Sequence, residues 1–221
     1  MMDIAPTVSA VLQLPAPRQS KGRMIQAVAE SMVGKRRVAI LALDAFGLFA
    51  WNLWKTEMPY LRSLHARHSI VLRSVIPSIT PVNFATMVTG IDQAGHGIKA
   101  RADSFACETL FDAVRRTGNK SAGIGIDDYT GTALLGRHAD ICGNAGEGSD
   151  DTVADRIIEI AECDEPMFLI AQLGRVDDVF HKYGPSSPEV VPMLRDSDTR
   201  LVRLVERLGR LDYGIIILAD H

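Results

Sequence analysis

Asp44, the pair Asp177 and His181, and the adjacent Asp220 and His221 each stand just past an apolar run, and Thr80 opens the segment TPVNFATMVTG. Carboxylates are hard oxygen donors and neutral imidazoles donate through nitrogen, so aspartate and histidine together suit Zn²⁺ or Mn²⁺. The four-residue spacing of Asp177 and His181 places both side chains on the same face of one helical turn, able to clasp a single cation. Each feature also has an ordinary reading: an aspartate after a strand is commonly a turn or cap residue, and D-x-x-x-H recurs by chance. The convergence is more informative, because three separate apolar runs each deliver an aspartate just past their carboxyl end, two of them with a histidine nearby.

Thr80 admits two roles. Before Pro81 and a helical pattern closing at Gly90, it reads as an N-cap with proline at the first helical position. The same place sets its hydroxyl at the positive end of a helix dipole, beside unpaired backbone N–H groups that favour phosphate and a developing alkoxide. A threonine hydroxyl needs help to attack at neutral pH. One divalent cation can stabilise its deprotonated form, and a second about 4 Å away can stabilise the leaving oxygen of an in-line phosphoryl displacement. Asn83, one turn beyond, is placed to donate its amide to a non-bridging phosphate oxygen, though alone it is an ordinary polar residue.

These groups meet only if the elements carrying them are parallel. RVAILAL at 37–43 is a continuous apolar run of the kind that forms a strand buried on both faces, and IVLRSV at 70–75, SAGIGI at 121–126, MFLIAQL at 167–173 and GIIILA at 214–219 repeat the signal. Helical patterns fall between them at 22–33, 57–67, 81–89, 104–117, 150–161 and 188–208, the last with one wet face. Alternating strands and helices predict an α/β fold, a mostly parallel sheet sandwiched between helices, and in such sheets reactive groups collect beyond the carboxyl ends of strands. Residues 1–22 read as a proline-rich lead and 23–221 as the domain. The glycine-rich 142–151 reads as a loop in which Ser149, Asp150 or Asp151 caps the next helix.

A chain of 221 residues suits one core, and 47% hydrophobic with 23% charged residues are globular values that argue against disorder. The formal net charge of −3 offers no basic field, so nucleic acid is a poor partner. Cys107, Cys142 and Cys163 are odd in number and form no CxxC, which points to buried thiols in a reducing compartment. The lead has no basic n-region and its apolar residues are broken by prolines 6, 15 and 17, and no run is long enough for a membrane span. A cytoplasmic location and no membrane partner are expected.

The motif order Asp44-Ala-Phe-Gly, Thr80-Pro-Val-Asn83, Met87-Val-Thr-Gly90, Gly95-His96-Gly97-Ile98, Asp177-x-x-x-His181-Lys-Tyr-Gly-Pro185 and Ala219-Asp220-His221 resembles the type I phosphodiesterase/nucleotide pyrophosphatase branch of the alkaline phosphatase superfamily. The resemblance implies an alkaline phosphatase-like domain with a two-metal site that takes zinc, with manganese as the alternative. Thr80 would be the transiently phosphorylated nucleophile. Asp44, Thr80, Asp220 and His221 would surround one metal, Asp177 and His181 would hold the other, and Asn83 would help bind the phosphoryl group. His96 carries over no metal role. Phe180 stands where the family usually has glycine, and the family's further metal-binding histidine lies downstream of the Asp-His pair, so a C-terminally shortened fragment is expected. The implied substrate is a small phosphorylated molecule, a phosphodiester or pyrophosphate. Phosphonate hydrolysis, or a catalytically impaired domain that binds a phosphorylated ligand, are the alternatives. The apolar 214–219 strand, if left at an edge, invites a homodimer.

Overall fold

The strands of the computed structural model, which describes residues 1–221, lie in one parallel five-stranded sheet. They are β1 Arg37–Leu43, β2 Ser121–Gly125, β3 Ile141–Asn144, β4 Phe168–Leu173 and β5 Tyr213–Leu218, ordered β3-β2-β4-β1-β5. The helices are α1 Ile4–Val11, α2 Gln26–Ser31, α3 Leu48–Trp54, α4 Pro59–His65, α5 Thr80–Thr89, α6 Gln93–His96, α7 Leu110–Arg115, α8 Asp150–Cys163, α9 Arg175–Tyr183 and α10 Val191–Arg210. None is long and apolar enough to cross a membrane.

The pleat explains why β1 is apolar throughout. Ala39, Leu41 and Leu43 face a core built with Val153 and Ile157 of α8 and Leu201 and Leu204 of α10. Val38, Ile40 and Ala42 face a second core built with Ile4 and Val8 of α1, Phe84 and Met87 of α5, and Leu110 of α7. Successive side chains point to opposite faces, so a strand covered on both sides must be apolar at every position. The expected α/β sandwich is therefore observed, with β4 at its middle, β1 beside it and β5 at an outer edge.

Three readings of the chain change. The segment 70–75 forms no strand: Ile70 and Val71 are 48% and 75% exposed, and the segment joins none of the five strands. Branched residues fit a pleated surface but do not create a partner for it. Conversely, 141–144 overlaps the 142–151 stretch that reads as loop yet forms the edge strand β3, where a Cβ on Gly143 would lie 2.7 Å from the Ile124 side chain. Nor is the N-terminal lead separate from the core, since Ile4, Ala5 and Val8 are buried in α1. Pro6 is tolerated there because amide hydrogens of a first helical turn have no intrahelical acceptor.

Register then positions the site. Ala42 pairs with Leu218 and Leu43 with Leu173, so β5, β1 and β4 end side by side and release Asp220, Asp44 and Gly174 at one rim.

Candidate metal centre

Asp44 and Asp220 occupy equivalent places beyond two neighbouring parallel strands, which is why residues far apart in sequence touch. One donor atom each from Asp44, Asp220 and His221 lies within 4.8 Å of the others. Thr80 Oγ1 lies 3.3 Å from Asp44 Oδ1 and 3.3 Å from His221 Nε2. His221 Nε2 is 3.6 Å from both Asp44 Oδ1 and Asp220 Oδ2, and no lysine or arginine pairs with either carboxylate.

The local backbone is shaped for this meeting. Ala45, at φ 61°, turns through the left-handed region at a cost of about 1 kcal/mol, and its N–H donates to Asp220 Oδ1 at 3.1 Å. Gly47 lets the chain end approach closely: a Cβ there would sit 2.6 Å from the His221 carbonyl oxygen. Thr80 is not the N-cap. Ile79 holds the extended cap conformation and Thr80 begins α5, leaving its hydroxyl free for Asp44 and His221. The expected stop at Gly90 is present as a left-handed C-cap.

Asp44 and Asp220 are 2% and 0% exposed. Burial raises the Asp44 carboxyl far above the usual range, with the Asp220 charge adding to it, and burial raises Asp220 as well. Asp220 Oδ2 is buried without a hydrogen-bond partner. Two buried carboxylates, one orphaned oxygen, an imidazole and a hydroxyl make a donor set that fits a divalent cation.

Asp177 and His181 sit on α9 as the spacing predicts, 3.4 Å apart. Asp150, the first residue of α8, orients that helix from outside: its carboxylate accepts from the N–H groups of Gly174 and Arg175 at 2.9 and 3.1 Å. The Asp177 carboxyl is raised by burial, while His181 and His221 pull it back. Asp177, His181 and His221 line one pocket of about 350 Å³ with Leu48, Phe49 and Phe180.

Asn83 does not join the cluster through any hydrogen bond. It is fully buried, its Oδ1 accepting from Val75 N–H at 2.9 Å and its amide reaching Ile79 O at a long 3.4 Å. His96 lies apart from the rim. Buried, it accepts from Ile98 N–H through Nδ1 at 3.0 Å and meets Thr86 Oγ1 of α5 at 3.2 Å. Two residues support the ligands in ways sequence reasoning missed: Asp150, read only as a candidate cap of α8, where Ser149 is the cap, and Gln172 in β4, whose Nε2 donates to Asp44 Oδ2 at 2.5 Å. The available signal for Gln172 was an amide inside an apolar strand.

The model of the type I phosphodiesterase/nucleotide pyrophosphatase family matches residues 38–103 and 127–221, well over half of the chain, and the chain belongs to that family. It is 28% identical over 218 residues to an uncharacterized pyrophosphatase/phosphodiesterase of Schizosaccharomyces pombe, covering 83% of this chain and 44% of that protein. Venom phosphodiesterase 2 of Crotalus adamanteus is 24% identical over 211 residues, covering 82% of this chain and 26% of the relative. The chain thus spans less than half the length of these curated relatives. Among solved structures, phosphonoacetate hydrolase from Sinorhizobium meliloti 1021 with phosphonoformate superposes with a TM-score of 0.66 at 20% identity, over 84% of this chain and 56% of that one. An inactive threonine-to-alanine variant of murine ectonucleotide pyrophosphatase/phosphodiesterase 5 with AMP gives the same TM-score, identity and coverage.

Proposed function

We propose that the chain carries the catalytic half-site of a metal-dependent hydrolase of phosphodiester or pyrophosphate bonds, with Thr80 as nucleophile. The observation that carries this reading is the Thr80 hydroxyl at the first position of α5, 3.3 Å from both Asp44 and His221. Asp44, Thr80, Asp220 and His221 would hold one divalent cation, and Asp177 and His181 contribute to a second, Zn²⁺ or alternatively Mn²⁺. Bound cations would lower the threonine pKa and offset charge on the transferring phosphoryl group.

Thr80 Oγ forms the new bond to phosphorus as the bond to the leaving oxygen breaks. Its proton passes to solvent or to the departing group, and water then hydrolyses the phosphothreonine. The N-terminal amides of α5 face the phosphoryl oxygens, and Asn83 supplies a further donor by giving up its long bond to Ile79. Support comes from the family match and from the inactive threonine variant among the structural relatives. The three cysteines are not the buried thiols expected, Cys142 and Cys163 being exposed and Cys107 half-buried, and as free thiols they suit a reducing, cytoplasmic setting.

Hydrolysis of bis(p-nitrophenyl) phosphate with added Zn²⁺ or Mn²⁺ tests the reading. Activity should vanish with chelator and fall by about 10³-fold or more in Thr80→Ala. Activity within threefold of wild type in that variant excludes the nucleophile. Phosphonoacetate in a parallel assay separates the phosphonate alternative. A second reading, a domain that binds a phosphorylated ligand without turnover, is favoured by one observation: Asp177 and His181 supply two donors where catalytic zinc sites use three protein ligands. It predicts cation binding with no hydrolysis.

A further inference from the structure

Gln172 is the single amide in the otherwise apolar Phe168–Leu173 strand and is 3% exposed. Both ends of its side chain are committed. Oε1 accepts from Gly131 N–H at 2.7 Å, and Nε2 donates to Asp44 Oδ2 at 2.5 Å. A backbone N–H can only donate, so Gly131 determines which end of the amide faces Asp44.

Gly131 opens the π-helical turn Gly131–Gly136 and lies tightly against β2 and β4. A Cβ there would meet the Ile124 carbonyl oxygen at 2.3 Å and Gln172 Cβ at 3.1 Å. The constraint therefore runs from a glycine that must lack a side chain, through Gln172, to one oxygen of Asp44. Its partner oxygen, Oδ1, is left facing Thr80 at 3.3 Å and His221 at 3.6 Å. An untethered carboxylate can swing either oxygen, or both, toward a cation.

From this geometry we infer that Gln172 is a positioning residue of the metal centre, holding Asp44 so that it presents the single oxygen Oδ1 beside the Thr80 hydroxyl. The inference rests on Asp44 being a ligand, as proposed above. Outer-shell partners of metal ligands typically change affinity by about 10–100-fold when lost. A purely structural amide would leave affinity untouched.

The test is Zn²⁺ titration against a competing chelator for the full chain, Gln172→Met and Gln172→Asn, each first checked for cooperative thermal unfolding without metal. Met removes the amide at similar volume, and Asn retains it but withdraws it from Asp44. Both should bind the first equivalent about 10–100-fold more weakly. Their Co²⁺ derivatives should absorb less intensely, as a freed Asp44 adds its second oxygen. A folded variant with affinity within twofold of wild type overturns the inference, and so does failure of both variants to fold, which would make Gln172 a core residue only. A wild-type chain that takes up no cation fails before any substitution, and that result removes the metal reading itself.

Discussion

Asp44 and Asp220 are 2% and 0% exposed between neighbouring strands, whereas His181 projects from α9 with 80% of its side chain in solvent. The first group is placed by sheet register, by the turn at Ala45, by Gln172 and by the start of α5. The second rests on one helix, capped from α8 by Asp150, and brings two donors. Burial is what separates them. Two carboxylates withdrawn from water must be neutralised by a proton or a cation, while the second pair keeps its histidine in solvent and its aspartate half-buried. The chain should accordingly bind one cation tightly and a second weakly.

The strongest way to break this contrast is Asp220→Asn. Removing a ligand should weaken the first cation by more than the roughly 100-fold limit for an outer-shell change, measured by chelator competition. Unchanged affinity would show that the buried pair is not the tight site.

The rigidity of the first group can be probed from the base of α5. Burial pushes the His96 imidazole down to about 4, and accepting from Ile98 N–H also requires Nδ1 to be unprotonated. His96 is neutral in the folded chain but titrates near 6.5 when unfolded, so the unfolded state gains the extra proton as pH falls. Its contribution is complete above about pH 6.5 and is lost between there and about 4. Thermal unfolding should show wild type losing about 2 kcal/mol more than His96→Asn across that window. Parallel pH profiles would contradict it.

A smaller effect sharpens the comparison from the other side. His181→Ala should weaken only the second cation, by about 10-fold, and leave the first within threefold, as two-step titration calorimetry can resolve. Loss of both together would mean that the groups form one site.

Much of this was legible because apolar runs, and the residues just past their ends, obey the sheet's geometry. Asp44, Asp220 and His221 come together because β1 and β5 are parallel neighbours, and strand type was visible in RVAILAL and GIIILA. Thr80 was legible as a helix start, though one residue inside the cap rather than on it. The segment 70–75 misled because branched residues favour a pleated, half-buried surface without bringing the segment to one, and Ile70 and Val71 stay exposed. β3 was hidden by its length of four residues and its glycine. Gln172 and Asp150 act on residues 128 and 24 positions away, so their roles exist only in the folded chain. Asn83 was legible one turn into α5, but the bond that orients its amide, Oδ1 accepting from Val75 N–H, was not.

Anomalous diffraction from crystals of the chain soaked in Zn²⁺ tests the central claim most directly. A peak should lie about 2.0–2.2 Å from Asp44 Oδ1, a carboxylate oxygen of Asp220 and a ring nitrogen of His221, with Thr80 Oγ1 adjacent. A weaker one should lie beside Asp177 and His181. Zinc found only at the exposed pair, or nowhere on this rim, would contradict the account.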